Sequence, residues 1–539
     1  MNAGKAERPD YHDFYRSFDP DSLVRELAGD LSALNACVEC CDRHAGSDRI
    51  AVNYEGVDGT SRAISFDELK ARSAQVANLL TEQGVGPGDR VSGLLPRIPE
   101  LVALVLGVWR AGAVYQPLFT AFGPKAIDHR LKTSGAKVVV TDPENRPKLD
   151  EVEESPVIMT IGGHGGDIDF NAAVDAQSDS FEPVMRQGSD GMLLMATSGT
   201  TGLPKGVKIP LSALPAFAAY MKFGLDLQPD DVFWNIADPG WAYGLYYAIT
   251  GPLLLGHQTT LHDGPFTVDS TVRIVKKLGV TNFTGAPTAY RMVAAQGGEA
   301  LAAMKGGLRI ASSAGEPLNP ELMRWWEEHV GSPLHDQYGQ TECAMVLLNH
   351  HGLSHKVHPG AAGYPMPGFT LAVVDEQGKP VERGAQGILA VDLKNSPYMY
   401  FEGYLGREGQ DWVGDYYLTG DTVEQNEDGT ISFVGRSDDV ITSAGYRIGP
   451  FDVESALLEH PAVAESAVVG KPDPERGEIV KAFVILTQGH EASDALAEEL
   501  RQHVRQRLGK HAYPREVAFP EALPKTPSGK IQRFILRKE

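Results

Sequence analysis

The stretch GMLLMATSGTTGLPKG, Gly191 to Gly206, sets an apolar run directly before a segment crowded with glycines, hydroxyls and a lysine. Met192 to Ala196 reads as a short buried strand, which would enter the loop Thr197-Ser198-Gly199-Thr200-Thr201-Gly202 and end at Lys205. Glycines let a backbone approach a ligand and turn its N–H groups inward, hydroxyls add donors and Lys205 adds positive charge. Together they describe a cradle for a polyphosphate. It is not the Walker A loop, whose G-x4-G-K-[ST] spacing is absent.

Outward from this stretch the chain alternates helical and strand patterns. Leu101 to Arg110 and Ile127 to Thr133 have helical periodicity, whereas Ala113 to Leu118, Lys137 to Val140, Thr259 to Leu261, Asn282 to Thr284 and Arg309 to Ser312 read as strands. Such alternation predicts parallel sheets with helical crossovers, an α/β architecture. Ile388 to Val391 and Thr430 to Phe433, separated by turn residues, predict a smaller antiparallel or mixed β-rich subdomain closing the large part. After Gly435 to Asp439 the texture changes. A helix starting at Pro450, strands over Ala462 to Val469 and Ile479 to Leu486, and a helix capped by Ser493 and stopped by Gly509 make a second α+β domain. The boundary is placed between 437 and 438.

The length of 539 residues and 42% hydrophobic composition fit several globular units rather than a disordered or fibrous chain. A formal charge of −22 argues against a nonspecific nucleic-acid surface or binding to an anionic membrane, so an anionic ligand must be met by local donors. Four cysteines do not make a disulfide framework at this length. The polar N-terminal stretch lacks a signal-peptide core, and no apolar run reaches the roughly 18 residues that a membrane span needs. A soluble cytoplasmic protein is expected.

The loop Thr197 to Gly206 resembles the signature of the adenylate-forming superfamily of acyl-CoA synthetases, luciferases and peptide-synthetase adenylation domains. Further stretches agree in order: Gly315-Glu316-Pro317, Tyr338-Gly339-Gln340-Thr341-Glu342, Tyr417 to Asp421, Gly435 to Asp439 and Pro527-Ser528-Gly529-Lys530. The resemblance covers nearly the whole chain and is strongest to acetyl-CoA and medium-chain acyl-CoA synthetases. It implies a large N-terminal domain of stacked αβαβα subdomains and a small mobile C-terminal lid. It also implies ATP, Mg2+ and CoA as the small molecules handled.

By that resemblance, Asp421 and Arg436 hold the ribose, while Gly315, Glu316, Pro317, Asp336, Gln337 and Tyr338 line the adenine pocket, with Gly339 beside them. Thr341 contacts the α-phosphate and Glu342 places Mg2+. Lys530 reaches the substrate carboxylate and the α-phosphate. Asp438 is the hinge, Gly445 lets pantetheine pass, and Arg447 supports the closed nucleotide-bound state. Lys530 also matches a site of acetylation in many relatives, which implies a protein acetyltransferase and deacylase as partners.

Asp238 to Gly244, containing Trp241, Ala242 and Tyr243, resembles the segment lining the acyl site, as does Ser313-Ala314. Acetate-specific relatives carry a tryptophan at the position of Gly339. Its absence predicts room for longer or aromatic acids, partly refilled by Tyr243 and Met345. The function expected is ATP-dependent acyl-CoA synthesis through an acyl-AMP intermediate. The rivals are transfer to a carrier-protein thiol or to an oxygen, and a catalytically silent nucleotide-binding regulator. Cys37, Cys40, Cys41 and His44 read as packed helix thiols and their neighbour rather than a zinc site. His350, His351, His355 and His358 read as a solvated or structural loop, and Trp325-Trp326 as a helix packing pair.

Overall fold

The computed structural model describes residues 8–153, 156–197, 204–406, 412–443, 446–474, 476–526 and 530–539. Two parallel sheets form the body. In the first, strands Val138–Thr141, Arg90–Leu94, Val114–Pro117 and Gly191–Thr197 lie side by side in parallel. Lys205–Pro210 returns antiparallel to Gly191–Thr197 with Thr197 opposite Lys205, so the two ends of the glycine-rich loop are fastened across a ladder. In the second, Ile50–Glu55, Thr259–His262, Phe233–Asn235, Asn282–Gly285, Ile310–Ala314 and Leu334–Gln340 run parallel.

Helices cover these sheets as the apolar runs require. Pro99–Arg110 is buried from Leu101 to Arg110, and its terminal arginine reaches Asp42 at 3.0 Å. Because strands of a parallel sheet are buried on both faces, they read as continuous apolar runs, which is why Met192 to Ala196 was conspicuous. Ligands of open parallel sheets meet the loops beyond the carboxyl ends of the strands. Thr197, Asn235, Gly285, Ala314 and Gln340 are those ends here, and all but Gly285 lie within or just before one of the stretches singled out above.

The β-rich part consists of Ala361–Pro365, Leu371–Val374, Gln386–Asp392, Tyr416–Gln425 and Ile431–Arg436, all antiparallel. It is not a detached layer. Leu347 and Leu348 pair with Pro365 and Tyr364, so its strands continue the second sheet without a break in hydrogen bonding. The C-terminal part has its own sheet, with Val463–Asp473 and Gly477–Leu486 paired over their whole length. It also has its own apolar core, around Ile441, Val453, Leu457, Val468, Val484, Leu500 and Val504. Ser493 caps the helix Asp494–Leu508 by accepting from the Leu496 N–H, and the Gly509 N–H closes it on the Arg505 carbonyl. Among the described residues no helix is long and apolar enough to cross a membrane.

The Cys37, Cys40 and Cys41 thiols are buried against the Ser73 hydroxyl and the carbonyls of Thr250 and Phe66. Trp326 is buried edge-on against Tyr290 at 4.8 Å, and Trp325 stacks on His329. The histidine loop is a packed structure rather than a solvated one. His350 and His351 are buried, His351 stacks flat on His335 at 3.8 Å, and the N-terminal helix Tyr11–Ser17 lays Tyr11 against His350 and Tyr364. The polar composition of the N-terminus concealed this docked helix.

Burial holds His335 and His350 neutral, with pKa values lowered to about 4 and about 3, and lowers His351 as well. The unfolded chain would protonate these rings near pH 6.5. Their contribution to stability is therefore complete above that pH and is lost as the pH falls, at about 1.4 kcal/mol per unit for each ring. The expected result is a thermal midpoint that drops steeply between pH 6.5 and 4. A midpoint unchanged down to pH 4 would show that the rings are solvated after all.

Candidate active site

Residues of the strand Leu334–Gln340 alternate between two sides, and that alternation sorts the site. Tyr338 and Gln340 reach one way, to Asp421. The Tyr338 hydroxyl donates to the Asp421 carboxylate, the Gln340 amide donates to it at 2.8 Å, and Arg436 stands 3.3 Å away. Asp421 and Arg436 are opposite one another on neighbouring strands. Burial pushes the Asp421 carboxyl up, whereas Arg436, Tyr338, Gln340 and the Lys530 ammonium pull it down. Lys530 belongs to the C-terminal part, so this electrostatic influence crosses from the second domain to the first. Arg436 keeps its Nε buried without a hydrogen-bond partner among the described residues and approaches Asp438 at 3.7 Å.

Asp336 is half-buried, and desolvation raises its carboxyl to about 7. It accepts from the Leu318 and Gln337 N–H groups and so ties down the loop that begins at Gly315. Gly315 has φ +96° with open space where a side chain would be, a conformation that calls for glycine. Glu316 does not project freely: its carboxylate is bonded to Arg291 at 2.8 Å and to Thr288.

Gln337 lies on the other side of the strand. Its amide donates to the Gly224 carbonyl at 3.1 Å and accepts from the Tyr220 hydroxyl, which meets the Tyr243 hydroxyl at 2.7 Å. The structure thus groups Gln337 with Tyr220 and Tyr243, on the side of the strand away from Tyr338 and Gln340. Two π-helical turns, Tyr220–Gly224 and Leu245–Thr250, frame this tyrosine cluster. Single π turns often mark functional sites. Trp241 is set apart, packed against Phe119 and Phe122 of the other sheet layer. Ala242 opens the helical turn that carries Tyr243, and Ala314 is a buried residue of the same core.

The space at Gly339 is not open. A β-carbon there would stand 2.2 Å from the Ala344 carbonyl oxygen and 2.6 Å from the Met345 sulfur. A register shift beside Gly339 and the left-handed Ala344, φ +61°, press the next strand against it. The missing side chain is required by this tight return, and Met345, expected from the sequence to refill part of the space, stands against it.

Glu342 sits in that return. It is 7% exposed, burial raises its carboxyl, and Tyr404 donates to it at 2.9 Å. Lys205 lies over the Tyr404 ring at 4.3 Å, so one tyrosine joins the lysine of the phosphate cradle to the acidic residue. The Thr341 carbonyl accepts from Tyr400 at 2.8 Å. Ser198, Gly199, Thr200, Thr201, Gly202 and Gly445 lie outside the described residues. Asp438 lies in the turn after Arg436, and Arg447 is exposed on the strand Tyr446–Ile448, paired with Thr442. Tyr404, Tyr220 and Gln340 were not singled out from the sequence, although Gln340 lies inside one of the quoted motifs.

The Lys205–Tyr404–Glu342 chain and the Asp421–Arg436 pair, with Lys530 on the smaller domain, fit an adenylate-forming enzyme. The family described as AMP-binding enzyme matches residues 39–405, and its C-terminal domain matches residues 452–530. The acetyl-coenzyme A synthetase of Bacillus subtilis (strain 168) is 39% identical over 548 residues, 98% of this chain and 94% of that protein. The mitochondrial acyl-coenzyme A synthetase ACSM3 of Rattus norvegicus is 38% identical over 90% of this chain and 86% of its own. A crystal structure of Brucella canis acyl-CoA synthetase aligns with TM-score 0.81 and 58% identity, covering 98% of each chain. The chain belongs to the AMP-binding enzyme family, among its acyl-CoA synthetases.

Proposed function

We propose that this protein joins a short-to-medium-chain or aryl carboxylic acid to CoA. The acid first displaces pyrophosphate from ATP to give acyl-AMP, and the CoA thiol then displaces AMP. The observation that carries the reading is that one tyrosine holds Lys205 and Glu342 together and Asp421 faces Arg436 in one body, with the charge of Lys530 in the other felt at Asp421. Asp421 and Arg436 suit the ribose hydroxyls, since a carboxylate accepts and a guanidinium donates. Tyr338 and the loop from Gly315 suit the adenine. The Glu342 carboxylate is a hard oxygen donor that fits Mg2+, which when bound would neutralise phosphate charge. Lys205 meets the leaving phosphates and Lys530 the reacting pair of anions.

Domains of 1–437 and 438–539 fit the texture of the chain, with Asp438 as the pivot between the two half-reactions, Gly445 on the pantetheine path and Arg447 on the closed face. Acetylation of Lys530 by a protein acetyltransferase, reversed by a deacylase, would remove its charge and silence the first half-reaction. The four buried thiols suit a reducing cytoplasm.

Met345, not the gap at Gly339, sets the depth of the acyl site on this reading. A coupled assay across acetate, butyrate, octanoate and benzoate should rank acetate last. Met345→Ala should raise the octanoate-to-butyrate ratio of kcat/KM by about tenfold, because each added methylene in a fitted pocket is worth roughly that much. Preference for acetate, or an unchanged ratio, would refute the assignment. Formation of free acyl-CoA in the same assay separates this function from transfer to a carrier protein.

A further inference from the structure

Residues near the two ends of the C-terminal part meet. Arg537 Nη2 donates to the Asp438 carbonyl at 2.7 Å and pairs with the Asp439 carboxylate. Arg533 grips both oxygens of Glu454, at 2.7 and 2.9 Å, and lies 3.8 Å from Asp439. Glu454 in turn accepts from the Val468 N–H at 2.8 Å, in the middle of the domain's long strand pair. The cluster balances two acids with two arginines, and Glu454 is buried, so each charge depends on its partners.

Lys530 stands three residues before Arg533. The Thr526 N–H donates to the Lys530 carbonyl at 2.8 Å, the Lys530 N–H to the Thr526 hydroxyl at 3.1 Å, and the Gln532 N–H to the Pro524 carbonyl at 2.9 Å. Between this cinched base and the helix Arg533–Leu536 the lysine has little backbone freedom. That helix is anchored by Leu536 in a small core with Val469 and Phe483.

We propose that Arg537 and Asp439, with Arg533 and Glu454, form a positioning clamp that makes the backbone of Lys530 rigid with the peptide at which the small domain pivots. The clamp rests on the roles proposed above for Lys530 and Asp438. Rotation about φ and ψ of Asp438 moves its carbonyl and Asp439 together with the small domain. Both partners of Arg537 therefore travel with it, and the clamp survives the turn. Its effect is to transmit the setting of the hinge to the ammonium group. With a loose lever the same hinge angle would leave Lys530 scattered over positions that miss the reacting anions, and a misplacement of about 1 Å costs on the order of 10²-fold.

The test splits the two half-reactions, since only the first uses Lys530. Arg537→Ala is assayed for pyrophosphate release with acid and ATP, and for thioester formation from supplied acyl-AMP and CoA. Pyrophosphate release is expected to fall about 10²-fold and thioester formation by less than about threefold. Arg537→Lys should restore most of the loss, because one nitrogen serves both acceptors. Asp439→Asn should show the same split if the alanine variant does not fold. An equal fall in both half-reactions, or no fall in a folded variant, overturns the clamp. Lys530→Ala is run alongside: if it keeps pyrophosphate release, the reading of Lys530 has failed, whereas its loss with Arg537→Ala unaffected sinks the clamp alone.

Discussion

Lys530→Ala is expected to cut acyl-AMP formation by about 10³-fold while leaving supplied acyl-AMP to be converted to thioester at nearly the normal rate. Two anions, a carboxylate and an α-phosphate, must come together in the first half-reaction, and the charge building between them needs a cation that is already in place. Lys530 is a point charge on a flexible stem, suited to follow charge that moves. Its charge helps to lower the buried Asp421 carboxyl, which links the two parts electrostatically. Acetylation of the same residue should reproduce the selective loss. Loss of both half-reactions to the same extent would mean that the lysine supports structure instead. A stoichiometrically acetylated sample with full adenylation activity would mean that its charge is not used.

Asp438→Pro should give the mirror image: pyrophosphate release retained, and thioester formation reduced on the order of 10²-fold. The turn at this point is held by the Asp439 and Val440 N–H groups, both donating to the Arg436 carbonyl, and a proline at 438 removes neither. What it removes is rotation, because the ring fixes φ. The present orientation would be retained and the one that admits CoA denied. Single-turnover measurement of each half-reaction checks this. Unimpaired CoA turnover in the variant would place the pivot elsewhere.

Much of the scaffold was legible in the chain itself because buried parallel strands leave continuous apolar runs and glycine-rich loops follow them. The run before Thr197, the helix capped by Ser493 and the strand pair in the C-terminal domain all lie where the pattern puts them. The chemistry-bearing side chains in motifs were legible as residues, but not in which direction they face. Gln337 and Tyr338 are adjacent in sequence yet serve opposite sides of one strand, and only the register with neighbouring strands decides which side is which. Gly339 misled for a related reason: the absence of a side chain says nothing about whether backbone from the next strand fills the gap. Tyr404 and Tyr220 carry no local signal, since their partners Glu342 and Gln337 lie 62 and 117 residues away. Arg533 and Arg537 look like ordinary solvated charges until the chain end is seen folded back on the hinge.

The paired π turns beside the tyrosines have a consequence for how specificity can change. Each holds about one residue more per turn than an α-helix, so a single residue could be deleted in Tyr220–Gly224 or Leu245–Thr250 and the turn closed as an α-helix with everything downstream keeping nearly its present facing. Only the side chains of the turn itself would be re-aimed, the phenols among them. Evolution of a new acid preference in this scaffold therefore has a route through indels, and a survey restricted to point substitutions would overlook it.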